Sequence, residues 1–125
     1  MPTRAFRMLE PIDLGPLTLR NRIALAPMVP MYANADGSIS RRQVDYYGRF
    51  ARGGAGLVFP EAMTIDDKES KGVPSMVAVY DQVYLPGLND LAEAVKDAGA
   101  ICIAQLAHAG YQTVPEFIGG RQPIA

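Results

Sequence analysis

The feature that most constrains the fold is an alternation of short apolar runs with amphipathic helical patterns. The apolar runs are 23–26, 56–59 and 101–106, and one helical pattern lies between each successive pair. Such runs are typical of parallel strands that are buried on both faces. Strands alternating with helices form a parallel sheet with right-handed crossovers. Two architectures fit this order: a doubly wound open sheet, or part of a (β/α)8 barrel, which needs roughly 250 residues when complete.

Local signals predict where the first elements begin and end. Residues 12–19 alternate apolar and polar side chains around Gly15-Pro16, which predicts a small β-hairpin. Ser40 followed by Gln43 is typical of a capping box, so a helix is expected to begin there. Glycines favour helix ends, and this helix is therefore expected to stop at Gly53-Gly54.

The second half of the chain is less regular. A second amphipathic helix is expected to stop at Gly99, with an apolar face made of Leu88, Leu91, Ala92, Val95 and Ala98. The segment 63–84 contains the charged stretch 66–69, and its polarity predicts a long connection that lies mostly in solvent. Residues 108–125 show no periodicity that predicts an element.

Composition excludes several classes of partner. Twelve Lys+Arg against thirteen Asp+Glu give a formal charge of -1, which provides no net positive field for nucleic acid or an anionic membrane. Cys102 is the only cysteine, so an intrachain disulfide and a cysteine-based metal site within this chain are excluded. The apolar stretch 23–32 is too short to span a bilayer. We therefore expect one cytoplasmic domain over 1–125, with no metal.

In parallel α/β folds the ligand binds at the carboxyl ends of the strands. The second apolar run is followed by Glu61, and the third ends with Gln105 and leads to His108. The carboxamide of Gln105 matches the mixed donor and acceptor edge of a flavin or nucleobase, but it equally fits an amide satisfied by backbone groups. Glu61 fits a buried, hydrogen-bonded carboxylate that fixes a loop. His108 fits either a ring held by backbone groups or an acid–base residue.

Three segments in register resemble the N-terminal part of the old yellow enzyme family, which comprises FMN-dependent NAD(P)H oxidoreductases. They are NRIALAPM at 21–28, YYGRFARGGAGLV at 46–58 and QLAHAG at 105–110. The resemblance extends from about residue 9 to 125. It implies the N-terminal portion of a (β/α)8 TIM barrel, with about three β/α units and a hairpin that closes the bottom of the barrel.

The resemblance also implies cofactors and site residues. FMN and NAD(P)H are the implied cofactors. Pro27, Met28 and Val29 would lie against the isoalloxazine ring, Ala62 would approach the flavin, and Gln105 would bond the pyrimidine edge. Many relatives have Thr or Cys where Val29 stands, so the hydrogen bond that tunes the flavin potential in those relatives is not available here.

Two hypotheses about function follow from the resemblance. The family's substrate-binding His pair or His/Asn pair, its proton-donating Tyr and its phosphate-binding loops have no counterpart in 1–125, so no catalytic residue is assigned. The leading hypothesis is a segment of an ene-reductase-like enzyme that is inactive alone. It would pair with a complementary barrel segment, or with itself, and act on a small electron-poor acceptor such as an alkene. The alternative is a non-catalytic partial barrel for assembly or binding.

Overall fold

The structure is a computed structural model that describes residues 6–124. Short 3-10 turns accompany seven strands and two α-helices in this range. In chain order these are β1 (Ile12–Leu14), β2 (Leu17–Leu19), β3 (Ala24–Leu25), α1 (Arg41–Arg52), β4 (Leu57–Val58), β5 (Ala62–Thr64), α2 (Leu85–Lys96), β6 (Ile101–Cys102) and β7 (Gln105–Ala107).

A three-stranded parallel sheet in the order β3-β4-β6 forms the centre of the fold. Leu57 lies opposite Ala24 on one side and Ile101 on the other. The antiparallel hairpin β1-β2 precedes this sheet, with Ile12 opposite Leu19. The predicted hairpin and the predicted strand–helix–strand–helix–strand order are both confirmed.

Each of the two later strands continues after a break. β5 follows β4 and β7 follows β6, and the two continuations pair with each other in parallel, with Ala62 opposite Gln105. Between them the chain keeps isolated ladder bonds, such as that from the amide of Ile103 to the carbonyl of Val58. Gln105 therefore lies inside a strand, whereas the sequence placed it at the end of one.

The helix boundaries follow from the capping residues. The hydroxyl of Ser40 accepts the amide of Gln43, and the side chain of Gln43 accepts the amide of Ser40, which makes the predicted capping box. Gly53 caps the other end of α1, and Gly54 has a φ of +111°. Gly99 has a φ of +80°, a conformation that favours glycine, just beyond α2. Both predicted helix stops are confirmed.

The core lies between the two helices and the sheet. Its fully or nearly fully buried members are Tyr47, Ala51, Ala55, Val58, Met63, Val77, Leu91, Val95 and Ala100. Arg20 connects the C-terminal parts of the two helices at one side of this core, because its guanidinium donates to the carbonyls of Ala51, Ala55 and Ala98. No helix within 6–124 is both long enough and apolar enough to span a membrane.

Three expectations about burial were wrong. The third apolar run, 101–106, is not a strand buried on both faces, since residues 101–103 are half-buried and residues 104–106 are exposed. The segment 63–84 is not mostly in solvent, since Met63, Thr64 and the run 76–78 are buried and Thr64 bridges to Ala78. The neighbouring charges at 66–69 masked this short apolar run. The first apolar run is also not buried on both faces: Ile23 and Ala24 are exposed, because β3 is an edge strand with an uncovered face.

The cap of α1 yields a test of stability. We expect Ser40→Ala to lower the free energy of unfolding by about 1 kcal/mol, because the amide of Gln43 loses its side-chain acceptor. Denaturant unfolding at fixed protein concentration measures the change. Ser40→Thr retains a hydroxyl acceptor and should recover most of the loss. Equal losses for the two variants would contradict the capping role.

Candidate functional site

The parallel register brings the predicted site residues to one end of the sheet. Pro27 and Met28 follow β3, Glu61 lies between β4 and β5, and Gln105 opens β7. Ala62 and Gln105 are direct partners across the β5-β7 ladder. Met28 is 65% exposed, and Gln105 is also exposed, so a thioether and a carboxamide are open to a ligand at this end. Pro27, Val29 and Ala62 are half-buried.

A buried carboxyl group lies directly behind these residues. Glu61 is 0% exposed, and its Oε1 accepts the Gln43 amide at 2.6 Å and the Tyr47 hydroxyl at 3.1 Å. Its Oε2 is buried without a hydrogen-bond partner among the described residues. The Tyr47 hydroxyl is also 3.3 Å from the carbonyl oxygen of Met28. This arrangement links α1 to the ends of β3 and β4, as the buried-carboxylate interpretation of Glu61 predicted.

Burial is the main cause of the shifted pKa values of Glu61 and Tyr47. Desolvation raises the pKa of Glu61 above its ordinary value, and the donors from Gln43 and Tyr47 only partly oppose it. Desolvation, and then the neighbouring Glu61, raises the pKa of Tyr47 far above its ordinary value, so the hydroxyl keeps its proton. Tyr47 is therefore protonated at neutral pH and can donate a hydrogen bond.

His108 has a structural role in this arrangement. Its Nε2 lies 3.3 Å from Oδ2 of Asp66, and its Nδ1 accepts the amide of Gly110. Burial opposes ionisation of Asp66, but the amides of Glu69, Lys68 and Ser70, and then His108, lower the pKa of Asp66 below its ordinary value. The pair joins the loop after β5 to the loop after β7. Its contacts favour the interpretation of His108 as a ring held in a loop.

Cys102 lies away from the exposed groups of the site. It is half-buried within β6, and burial raises the pKa of its thiol. A thiol with a raised pKa is a poor nucleophile, so Cys102 is a core residue. No group of three or more His, Cys, Asp or Glu side chains within 6–124 is placed to hold a metal ion.

Sequence patterns alone did not identify the whole network. The sequence predicts Gln43 in the helix cap, which is confirmed, and the structure places Tyr47 in the core. Their spacing of four residues places them on one face of α1, which is the signal that could have paired them. That this face meets a buried carboxyl depends on tertiary packing.

The exposed residues offer a thioether and a carboxamide, whereas no phosphate site is evident beside them among the described residues. An isoalloxazine ring combines a broad apolar face with a donor and acceptor edge, and Met28 and Gln105 offer the matching chemistry. Lys71 and Arg121 line a nearby cavity, but the carboxylates of Asp36, Asp66 and Asp67 line it too. Three carboxylates make that cavity unsuitable for a phosphate dianion.

Comparison with known proteins agrees with this geometry. The profile of the NADH:flavin oxidoreductase / NADH oxidase family matches residues 7–119. An NADH oxidase from Thermoanaerobacter brockii is 44% identical over 112 residues, which cover 90% of this chain and 17% of the relative. An NADH:fumarate oxidoreductase from Klebsiella pneumoniae is 36% identical over 120 residues, 95% of this chain and 13% of the relative.

The fold has close counterparts among solved structures. An old yellow enzyme homologue from Zymomonas mobilis superposes with a TM-score of 0.86 at 31% identity, covering 94% of this chain and 32% of that structure. The chain thus spans less than a third of the length of these relatives. Its fold is that of the N-terminal portion of a (β/α)8 barrel. With a profile match over residues 7–119 and a superposing old yellow enzyme homologue, the chain belongs to the NADH:flavin oxidoreductase / NADH oxidase family, whose cofactors are FMN and NAD(P)H.

Proposed function

We propose that this chain forms the ring-binding side of an FMN site in an NAD(P)H-dependent oxidoreductase. The observation that carries the proposal is the pairing of Ala62 with Gln105 at the barrel end where Met28 is exposed. Small Ala62 leaves room beside the Gln105 carboxamide, and Met28 supplies an apolar contact. When bound, FMN supplies hydride transfer from NAD(P)H to an acceptor.

Each residue has a distinct role in this proposal. Gln105 donates to and accepts from the pyrimidine edge of the ring, which fixes its orientation. Met28 covers one part of the ring face and keeps water from it. Pro27 and Val29 bracket Met28 and limit the backbone freedom of the turn after β3. None of these side chains moves a proton, so they contribute binding and orientation of the ring.

The acceptor that we propose is an electron-poor alkene. Support comes from the K. pneumoniae relative, which is described as an NADH:fumarate oxidoreductase. Fumarate is an alkene activated by two carboxylates. The NADH oxidase name of the T. brockii relative shows that acceptor use differs between relatives, so the acceptor is proposed at the level of chemical class.

The exposed surface supports a further part of the proposal, namely that the barrel is completed by other polypeptide. Only three strands form the central sheet, and β3 and β6 are its edges in the described part of the chain. Large apolar side chains are exposed on this incomplete structure, among them Met28, Phe50 and Leu106. Edges and apolar surface of this kind favour association. A complementary barrel segment or a second copy would cover them. The free thiol of Cys102 fits the cytoplasmic location that we propose.

A change at Gln105 tests the cofactor site. In the assembly that binds FMN, Gln105→Ala should weaken FMN binding by about 1–3 kcal/mol, because a buried ring edge would lose its partner. Fluorescence titration with FMN measures the change. Gln112→Ala removes another exposed amide, outside the proposed site, and should leave the affinity unchanged. Equal effects of the two variants would exclude Gln105 from the site.

The affinity of the chain alone provides a second test. Since phosphate recognition is expected from other parts of the barrel, the 125-residue chain alone should bind FMN weakly and should not oxidise NADPH faster than free FMN does. Adding the missing barrel segment should restore both properties. If the completed assembly binds FMN but has no turnover with any quinone or alkene, the non-catalytic module becomes the better description.

Association is tested by sedimentation. We expect the chain to be dimeric, or to sediment with a complementary segment, at micromolar concentration, because its sheet edges and apolar side chains are exposed. A compact monomer that unfolds cooperatively would contradict this expectation.

A substitution at Val29 tests whether the segment after β3 places this residue against the flavin ring. In the FMN-loaded assembly, Val29→Thr should raise the midpoint potential of the flavin, because a hydroxyl donor stabilises the negative charge of the reduced ring. Val29→Ala is the control that changes size without adding a donor. An unchanged potential in Val29→Thr would mean that position 29 does not face the ring.

A further inference from the structure

Beside the buried carboxyl group of Glu61, the Tyr47 hydroxyl faces more acceptors than its proton can satisfy. The Tyr47 hydroxyl has one proton, and two acceptors lie within reach: Oε1 of Glu61 at 3.1 Å and the carbonyl of Met28 at 3.3 Å. Gln43 cannot replace Tyr47 at Met28, because its amide orientation is fixed. Its Oε1 accepts the amide of Ser40, so its Nε2 must point to Glu61.

The surroundings of Glu61 disfavour a buried negative charge. Glu61 is 0% exposed, and Oε2 has no partner among the described residues. Neither ion pair found within 6–124 includes Glu61. The titratable group that faces it is Tyr47 of α1, with Tyr46 beyond, and the end of β3 contributes only the backbone carbonyl of Met28. A buried carboxylate with no cation and one unpaired oxygen costs more than the neutral acid.

We propose that Glu61 is a protonated, neutral acid in the folded protein and acts as a positioning residue: its proton bonds the Tyr47 oxygen, which directs the Tyr47 hydroxyl to the carbonyl of Met28. In this state the Glu61 proton, the Tyr47 proton and one proton of Gln43 Nε2 each have an acceptor, and the carbonyl of Met28 has a donor. If Glu61 ionises, Tyr47 donates to the carboxylate and releases Met28. The protonation state of Glu61 thereby determines whether Tyr47 of α1 donates a hydrogen bond to Met28 after β3.

The consequence for the cofactor rests on the proposed function. Met28 is exposed at the end where we place the flavin ring, and its carbonyl is the point at which α1 holds this turn. A fixed Met28 presents its side chain to the ring in one position, whereas a released Met28 must be ordered when the ring binds. FMN affinity should therefore fall as Glu61 ionises.

The protonation of Glu61 can be tested without flavin, on the 125-residue chain in the assembly it forms. Infrared spectra at neutral pH should contain the C=O stretch of a protonated carboxylic acid, which is separate from carboxylate bands. Glu61→Gln should abolish this band. The matched control is Glu93→Gln, which removes an exposed carboxyl group from α2 and should keep the band. Absence of the band in the unmodified chain overturns the proposal.

Stability supplies a second readout with a defined sign. Because the pKa of Glu61 is raised in the folded state, the folded chain holds a proton that the unfolded chain releases above the ordinary value of 4.5. Its contribution is present in full below that value and is lost as pH rises through the folded pKa. The folding equilibrium constant should fall by up to about tenfold per pH unit in this window relative to Glu61→Gln. The same slope in both proteins overturns the proposal.

The coupling to Met28 is measured by carbon NMR of methionine carbonyls, with the Met28 signal assigned by Met28→Leu. In the unmodified chain this signal should shift with pH as Glu61 ionises. It should be pH-independent in Glu61→Gln. Tyr47→Phe lacks the donor, so its signal should stay at the value of the released carbonyl. A Met28 signal that Tyr47→Phe leaves unchanged overturns the positioning role.

The last measurement separates this proposal from the proposed function. In the assembly that binds FMN, Tyr47→Phe should weaken FMN binding roughly fivefold, the value of one ordinary hydrogen bond. The loss of FMN affinity with rising pH should be absent in Glu61→Gln. If the carbonyl signal behaves as expected but no assembly binds FMN, the proposed function is wrong and the Glu61–Tyr47–Met28 coupling stands. If FMN binds and neither variant alters its pH dependence, the coupling does not act on the cofactor site.

Discussion

The arrangement of the strand ends depends on burying the Glu61 carboxyl group between α1 and the sheet. A carboxyl group at 0% exposure is tolerated only when its polar atoms are satisfied or its charge is removed. Gln43 and Tyr47 both bond this carboxyl group from one face of α1, whose cap residue is Ser40. Gln43 belongs to the capping box as well as to the contacts of Glu61. The start of α1 is therefore joined directly to the strand ends.

The opposite end of the sheet, at the amino ends of the strands, is stabilised by contacts to backbone groups. Arg20 donates to carbonyls at the ends of both helices, and Gly56 lies so close to Asn21 that a Cβ at position 56 would be 2.7 Å from its Oδ1. The carbonyl oxygens stabilise the charge of Arg20, and the contact with Asn21 leaves no room for a side chain at position 56. One end of the sheet is therefore stabilised by contacts to backbone groups, and the other end presents Met28 and Gln105. This division is the one that parallel barrels use, with ligands at the carboxyl ends of the strands.

Much of the fold could be predicted from the sequence because its signals are local. The capping box at Ser40, the glycine stops at Gly53 and Gly99, and the apolar run at 56–59 each act over a few residues. The continuation strand β5 was missed because Ala62–Thr64 is too short to show alternation and precedes a charged loop. The edge position of β3 also has no sequence signature, since an apolar run looks the same whether or not a neighbouring strand covers it. For the site, single residues such as Glu61 and Gln105 were predictable, whereas their hydrogen-bond partners depend on packing between distant segments.

Burial without a counter-ion distinguishes Glu61 from Asp66, the other carboxylate with defined partners near the strand ends. Asp66 accepts hydrogen bonds from three backbone amides and faces His108. Its negative charge is therefore compensated, and its carboxylate can remain ionised near solvent. Glu61 faces an amide and a phenol, neither of which carries positive charge. The same functional group is thus stabilised as an anion on the loop and disfavoured as an anion behind the strand ends. In the function proposed above, a neutral acid at Glu61 would add no negative charge next to a ring that takes up electrons, which would favour binding of a reduced flavin.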